Sequence, residues 1–197
     1  MSKDTKLTPP STPKQMYSIG HSIHSLAHFI DLLKAHDIAT VIDIRTIPKS
    51  RHCPQFNEEE FKASLKKEKI GYRHIKELGG LRHTSKDSIN TGWKNSSFRG
   101  FADYMQTLSF QKGLEKVERL AQKKRCALMC AEAVPWRCHR SLVADALLVK
   151  KWKVFHIQSK KTAKLHKRTS FLHVKKGQLI YSDAKTKKNV TGNHHAR

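Results

Sequence analysis

The densest group of reactive side chains in this sequence lies in the segment Cys130–Arg140, which combines two thiols, one carboxylate, one imidazole and two guanidinium groups. A thiolate can attack an electrophile, and a carboxylate or an imidazole can move a proton. Guanidinium groups bind phosphate and carboxylate, often through two hydrogen bonds. The segment therefore predicts a polar site with anion-binding and either acid–base or nucleophilic chemistry.

Three cationic side chains, Arg137, His139 and Arg140, lie at or just before the start of a helix predicted over Leu142–Val149. Cations at this end oppose the helix dipole, so a purely structural role would favour acids there. Free backbone amides and guanidinium groups together are typical of a phosphate or carboxylate site. The alternative is a structural ion network in which the two arginines pair with Glu132 or Asp145.

Glu132 is the first candidate for a general acid or base, because it follows a predicted strand by two residues and precedes the cationic loop. Asp43 is the second candidate and His21 the third. Each also has a structural interpretation: Glu132 pairs with an arginine, Asp43 caps a turn, and His21 is hydrogen-bonded within its loop.

Cys130 is a candidate nucleophile, since a thiol beside cations can have a lowered pKa. The Cys-x6-Arg spacing to Arg137 is similar to the Cys-x5-Arg loop of cysteine phosphatases and rhodaneses, but it is one residue longer and lacks the glycines. A buried structural role remains the alternative for Cys130 and Cys138. A zinc site is also conceivable, but no Cys-x2-Cys pair supports it and we predict none; its members would be His52, Cys53, Cys130, Cys138 and His139.

Short β-branched runs alternate with segments of helical apolar periodicity, which predicts a single α/β domain. We expect a mainly parallel sheet of about five strands with helices on both faces; the order of the strands cannot be read from the sequence. The first helix is predicted to start after Ser22 as N-cap. The predicted strands cover residues 16–19, 40–44, 72–75, 125–130 and 153–157, and a terminal hairpin is expected around Gly177.

Ligands of open α/β sheets bind beyond the carboxyl ends of the strands, so the residues after each strand are candidates for the site. The second predicted strand is followed by Arg45 and Arg51, which we add to the predicted anion-binding residues. Glu77 follows the third strand. A single polar loop indicates little, because loops are usually polar. Polar and charged groups after several strands at one edge of the sheet indicate a binding or catalytic site there.

The chain has 39 Lys and Arg against 16 Asp and Glu, a formal net charge of +23. This balance favours a polyanionic partner, nucleic acid before a membrane surface. We expect a disordered lead-in over residues 1–14, the domain over 15–182, and a basic tail over 183–197. The start of the sequence has no signal-peptide pattern and no apolar run has transmembrane length, so we expect a cytoplasmic protein with thiols rather than disulfides.

Eight short motifs are spread along the chain. They are SIGHS at 18–22, DIR at 43–45 (followed by Pro48 and Ser50-Arg51), PQFN at 54–57, ELGG at 77–80, NTGW at 90–93, FRG at 98–100, MCAE at 129–132 and CHR at 138–140. Together these motifs resemble the DUF488 family, a domain of unknown function, over roughly residues 16–175. The resemblance implies an α/β fold with the site segment described above, and it implies no reaction.

Three functional hypotheses remain open at this point. The leading one is an enzyme acting on nucleic acid or a phosphorylated nucleotide-like substrate, with Arg137 and Arg140 as anchor and Glu132 as acid or base. The second is a non-catalytic nucleic-acid-binding module. The third is a cysteine-dependent phosphatase or sulfurtransferase-like enzyme that uses Cys130. Cofactors and the oligomeric state are not determined by the sequence.

Overall fold

The computed structural model describes residues 14–182 and contains a six-stranded sheet and a separate two-stranded hairpin. Five strands of the large sheet are parallel, and the sixth, at one edge, is antiparallel. The strands of the large sheet are β1 (Gln15–Gly20), β2 (Thr40–Asp43), β3 (Gly71–His74), β4 (Cys126–Cys130), β5 (Lys153–Ile157) and β6 (Ala163–Leu165), in the order β3-β2-β4-β1-β5-β6. The hairpin consists of β7 (Leu172–Lys175) and β8 (Gln178–Tyr181).

Five helices cover the sheet, and they divide between its two faces. Neighbouring strand residues point to opposite faces, so Val41 packs with α1 and α2 while Ile42 packs with α3, α4 and α5. In a parallel sheet covered on both sides, strand residues are buried whichever face they point to, as all residues of β2 and β4 are. The helices are α1 (Leu26–Ala35), α2 (Glu58–Lys67), α3 (Ser96–Tyr104), α4 (Leu108–Ala121) and α5 (Arg140–Val149).

The order of the strands creates a crevice between the carboxyl ends of β2 and β4. These two strands are neighbours, but the chain leaves β2 toward β3 on one side and leaves β4 toward β5 on the other. Such a divergence is the place where open α/β sheets bind ligands. It brings the loop after β2, which starts with Ile44 and Arg45, opposite the segment Cys130–Arg140.

The predicted fold class is confirmed, with two local differences. The first helix begins at Leu26 with Ser25 as N-cap, whose side chain accepts a hydrogen bond from the His28 N–H. The prediction of Ser22 as N-cap was wrong because Ile23, counted as part of the apolar stripe, is 88% exposed. The edge strand β6 was not predicted, since its three residues include an exposed lysine and an exposed leucine.

Apart from residue 14, the predicted lead-in and the predicted basic tail lie outside the described residues. Within residues 14–182, no helix has the length and apolar character needed to cross a bilayer.

Candidate active site

A cavity of about 810 Å³ opens at the carboxyl edge of the sheet, where the loops after β1, β2 and β4 meet. Its wall also includes Gly80 and Leu81, from the segment after β3, and Phe98 of α3. Six of the predicted site residues line it: His21, Arg45, Cys130, Glu132, Arg137 and His139. Cys138 lines it too, whereas Asp43, Arg51 and Arg140 are not part of its wall.

Cys138 and His139 form a thiol–imidazole pair in this wall. The Sγ of Cys138 lies 3.7 Å from Nδ1 of His139, and Nε2 of the same ring lies 3.1 Å from the carbonyl oxygen of Ile44. Because a carbonyl can only accept a hydrogen bond, Nε2 carries the proton in the neutral ring. Nδ1 then has a free lone pair facing the thiol.

The local chain geometry explains how the His139 ring reaches this position. A Cβ atom added to Gly80 would lie 2.4 Å from Nδ1 of His139, so only glycine leaves room for the ring. Phe101 of α3 contacts the other side, with ring centroids 5.0 Å apart. The ring is therefore fixed by packing and by the hydrogen bond to Ile44.

The pKa values of the two thiols of the site are shifted in opposite directions. A hydrogen bond from the Cys130 thiol, together with His139 and the positive charge of Arg140, lowers the pKa of Cys138 well below the ordinary thiol value. The hydrogen bond to Cys138 and burial raise the pKa of Cys130. The backbone N–H of Arg140, 3.5 Å from the Cys138 sulfur, also favours a thiolate there. Because the Cys138 sulfur lies 3.7 Å from Nδ1 of His139, Cys138, rather than the predicted Cys130, is the nucleophile candidate.

Arg140 has a role different from the predicted anion binding. Its side chain is 1% exposed and turns into the protein, where Nη2 donates to the carbonyl oxygens of Glu132 and Ala133. Nη1 donates to the hydroxyl of Ser18 at 3.0 Å. Arg140 therefore fastens the loop after β4 to β1, and its charge reaches the site only through space.

The helix start does not form the predicted phosphate cradle either. The N–H groups of Ser141 and Leu142 donate to the carbonyl oxygens of Cys138 and His139, so the first turn of α5 uses its amides within the loop. Arg140 does not form the alternative ion pair with Glu132 either, because it contacts the backbone carbonyl of Glu132 and not its carboxylate. The loop is held by hydrogen bonds to carbonyl groups instead.

A buried hydrogen-bond chain continues from Arg140 along the face of the sheet that α5 covers. The ring of His156 lies between Ser18 Oγ, at 3.2 Å, and His166 Nδ1, at 3.0 Å. His166 Nε2 lies 3.1 Å from the carboxylate of Asp145. The Asp145 carboxylate can only accept, so His166 donates to it through Nε2, and the hydroxyl of Ser18 accepts from Arg140.

Asp145 ends this chain and binds three further donors. Its oxygens accept hydrogen bonds from the N–H and the hydroxyl of Thr169 and from the hydroxyl of Tyr181. Burial and the neighbouring His166 lower the pKa of His156 to about 3, which keeps that ring neutral. The network that holds the loop therefore has a neutral ring, His156, at its centre, and among residues 14–182 the Nε of Arg140 is its buried group without a partner.

Asp43 does not act on a substrate in this geometry, because its carboxylate is fully buried and already bound. It pairs with Arg45 at 2.6 Å and accepts a hydrogen bond from the Tyr72 hydroxyl at 2.8 Å. Arg45 in turn lies 3.4 Å, through Nη1, from Nε2 of His21. Asp43 is thus a positioning residue for Arg45, which lines the cavity.

His21 is held in one tautomer. Its Nδ1 lies 2.9 Å from the carbonyl oxygen of Ser22, so Nδ1 is the protonated nitrogen and Nε2 faces Arg45. Burial is the main cause that lowers its pKa. His21 therefore contributes a neutral ring, stacked on Phe56 at 4.4 Å, to the cavity wall.

Three polar side chains of the wall have free charged ends. Arg137 and Lys49 are exposed and have no side-chain partner among residues 14–182. Glu132 is exposed as well, and one of its oxygens accepts the Val134 N–H at 3.3 Å. These groups are available to an anionic ligand and to proton transfer, whereas Arg51 is exposed outside the cavity wall.

The two thiols of the site and the His139 ring could together hold a soft metal ion. The donor atoms of Cys130, Cys138 and His139 all lie within 4.8 Å of one another. Two thiolates and one imidazole suit zinc, and three protein ligands leave a fourth position open toward the cavity. The hydrogen bond from Nε2 of His139 to a backbone carbonyl is the outer contact that zinc-bound histidines typically have.

The roles of the residues that hold the loop were not predicted, although most of these residues had a visible signal. Ser18 and His156 are polar residues that interrupt apolar stretches of their strands, and Asp145, considered only as an ion-pair partner of the arginines, lies in the middle of the apolar run of α5. Buried polar residues of this kind need hydrogen-bond partners. His166 had no such signal, because it follows an edge strand without apolar periodicity.

Fold and site together define an α/β protein with a thiol–imidazole pair at the carboxyl edge of a parallel sheet. Comparison with protein families matches residues 25–147 to DUF488, described as a domain of unknown function, and the chain belongs to this family. The match covers β2, β3, β4 and most of α5, and it begins after the SIGHS motif of β1. Neither the curated proteins nor the solved structures contain a match to the chain.

Proposed function

We propose that this protein is a cysteine-dependent enzyme that acts on a phosphorylated nucleotide-like substrate or on nucleic acid, with Cys138 as the nucleophile. One observation carries the proposal: the free lone pair of His139 Nδ1 faces the Cys138 sulfur, 3.7 Å away, in the wall of a large cavity. A thiol beside an oriented base is the arrangement that activates a cysteine.

The roles follow from the positions of the groups. His139 Nδ1 takes the proton of the Cys138 thiol, and the sulfur attacks the electrophilic centre, for a phosphate ester the phosphorus. The sulfur–phosphorus bond forms, the bond to the leaving oxygen breaks, and that oxygen takes a proton from the His139 imidazolium or from Glu132. Water then attacks the phosphorus and releases the thiol. Glu132 is suited to the proton transfers because its carboxylate is exposed in the same wall.

The charge of the cavity supports an anionic substrate. Arg137 and Lys49 have free cationic ends, and Arg45 is held toward the cavity by Asp43. The net charge of +23 adds attraction for a polyanion over the whole chain.

Turnover of phosphorylated nucleotides and short oligonucleotides by the full-length protein tests the proposal. Cys138→Ser is expected to abolish turnover and to leave substrate affinity within about threefold, because the hydroxyl keeps the shape but not the nucleophile. Glu132→Gln is expected to lower the turnover number with little change in affinity. Cys53→Ser is the matched control, since Cys53 lines the same cavity and its thiol donates to the Ser22 carbonyl instead of facing a base.

Turnover that survives Cys138→Ser would contradict the assignment of the nucleophile. Binding of nucleic acid without turnover of any substrate would favour the non-catalytic binding module. A zinc-dependent hydrolase is the second candidate, favoured by the grouping of Cys130, Cys138 and His139. Stoichiometric zinc in the purified protein, with turnover lost on chelation and restored by zinc, would select it over the thiol mechanism.

A further inference from the structure

A second cavity, of about 300 Å³, lies on the other side of the segment Cys130–Arg140. Ala133 and Arg137 line the first cavity, while Pro135 and Trp136 of the same loop line the second. Most of the remaining wall comes from the carboxyl end of β5, from β6 and from the chain that follows β6, and Trp93 and Ser141 complete it. A chain-like ligand that occupies the first cavity therefore meets the second one across a single loop.

The second cavity offers aromatic surface. Trp136 is 68% exposed at its rim, which is an unusual position for a tryptophan without a ligand. Trp93 lies in the wall, and its indole N–H is buried without a hydrogen-bond partner among residues 14–182. A planar heterocycle would stack on the exposed Trp136 ring, with Trp93 as further aromatic surface in the wall.

The same cavity is surrounded by positive charge. Lys164 and Lys167 line it, are exposed, and have no side-chain partner within the described part of the chain. From residue 158 to residue 182 the chain contains no Asp or Glu, and its cations are Lys160, Lys161, Lys164, Lys167, Arg168, Lys175 and Lys176. Phosphate groups are the ligands that match these lysines.

The histidines in this wall do not make it a second catalytic site. Both ring nitrogens of His156 and both of His166 are already used within the chain from Ser18 to Asp145. The rings can offer contact surface to a ligand but no free base. The cavity is therefore built for binding.

We infer that the second cavity binds one nucleotide of a single-stranded nucleic acid, with its base on Trp136 and its phosphates at Lys164 and Lys167. This inference rests on the proposed function only for the substrate class. A base that stacks on a side chain is not available for stacking in a duplex, so a single strand is preferred. Stacking and phosphate contacts read no base edge, so recognition depends little on sequence.

The test is binding of a fluorescent 12-nucleotide single strand, compared with its duplex and with a mononucleotide, over a range of salt. Trp136→Ala is expected to weaken the single-strand affinity about tenfold and to leave the melting temperature unchanged, because the side chain is exposed. Trp136→Phe, which keeps a stacking ring, is expected to recover most of the affinity. Tryptophan fluorescence of the unaltered protein is expected to be quenched by the strand, and less so in Trp136→Ala.

The slope of the logarithm of affinity against the logarithm of salt concentration changes by about 0.7 for each phosphate contact on a single strand. The double variant Lys164→Gln, Lys167→Gln removes two such contacts, so this slope is expected to become shallower by up to about 1.4. The matched control is Lys66→Gln, Lys67→Gln, which removes the same charge at the end of α2, at the opposite edge of the sheet. Equal losses in the two double variants would overturn the inference, since only total charge would then matter.

Other results would also overturn it: affinity unaffected by Trp136→Ala, a mononucleotide that binds as tightly as the strand, or a duplex that binds more tightly than the strand. Failure of the proposed function has a different signature. If Cys138→Ser keeps full turnover while Trp136→Ala weakens binding, the nucleophile is wrong and the binding site stands.

Discussion

The histidines of the buried chain and the histidine of the first cavity differ in how their ring nitrogens are used. In the chain from Ser18 to Asp145, both nitrogens of each histidine have a partner. In the first cavity, His139 uses Nε2 on the Ile44 carbonyl and leaves Nδ1 to the Cys138 thiol. The difference indicates that the first set of residues holds the loop in place and the second is free to react.

The comparison also separates effects on stability from effects on reactivity. Loss of a partner in the buried chain leaves buried polar groups unsatisfied, which costs free energy of unfolding. Loss of His139 or Cys138 removes groups that face a cavity, which costs reactivity instead. The following variants are ordered by the size of the expected effect.

Asp145→Ala is expected to lower the free energy of unfolding by roughly 3–5 kcal/mol, because it leaves several buried donors unsatisfied at about 1–3 kcal/mol each. The carboxylate is fully buried, and its loss leaves His166, Thr169 and Tyr181 without their acceptor. Urea denaturation followed by circular dichroism measures this change. Asp87→Ala, at an exposed aspartate, is the control and is expected to have no effect beyond about 0.5 kcal/mol. Equal stability of both variants would contradict a structural role for the chain.

The chain also predicts a dependence of stability on pH. Burial and His166 hold the pKa of His156 at about 3 in the folded protein, against 6.5 for an ordinary histidine. Between these values the unfolded chain binds a proton that the folded protein excludes, so stability is complete above pH 6.5 and falls as the pH drops toward 3. The slope from this residue is at most about 1.4 kcal/mol per pH unit.

Denaturation at several pH values with and without His156→Gln isolates that slope. The variant is expected to be less stable at pH 7 and to lose less stability on acidification than the unaltered protein. Parallel pH profiles for the two proteins would show that His156 is protonated without cost, in conflict with its place in the chain.

Gly20→Ala is expected to displace the loop at a cost of about 1–3 kcal/mol, as overpacking does. A Cβ atom at this position would lie 1.9 Å from the carbonyl oxygen of Glu132 and 2.9 Å from Nη2 of Arg140. The substitution therefore pushes on the hydrogen bond that fastens the loop. Thermal denaturation and the alkylation rate of Cys138 are the measurements. A variant with unchanged stability and an unchanged rate would mean that Arg140 does not set the position of the thiol.

The fold class could be predicted from the sequence because both faces of the sheet are covered, which buries the strand residues and the inner faces of the helices. The apolar strand β4, the β-branched run of β2 and the apolar stripe of α4 are visible as patterns along the chain. Strand order was out of reach, since it depends on which strands pair and leaves no local pattern. The strand β6 was out of reach for a related reason, since an exposed edge strand needs no apolar alternation.

The site was predicted at the correct segment but with several roles exchanged. Arg140 was expected to bind an anion because it precedes a helix, yet the side chain of a residue at a helix start can turn inward or outward. The choice depends on carbonyl groups of the same loop and on Ser18, which is 122 residues away. The preference for Cys138 over Cys130 likewise depends on the side of the loop that faces Nδ1 of His139.

The alkylation rate of Cys138 in the native protein tests the central claim most directly. Iodoacetamide at neutral pH, followed by peptide mass spectrometry, reports the order in which Cys53, Cys126, Cys130 and Cys138 are modified. The account predicts that Cys138 is modified first, that His139→Gln slows this reaction roughly tenfold or more, and that Cys126, whose pKa burial raises to about 11, reacts only after denaturation. Modification of Cys138 only after denaturation, or at a rate that His139→Gln does not change, would contradict it.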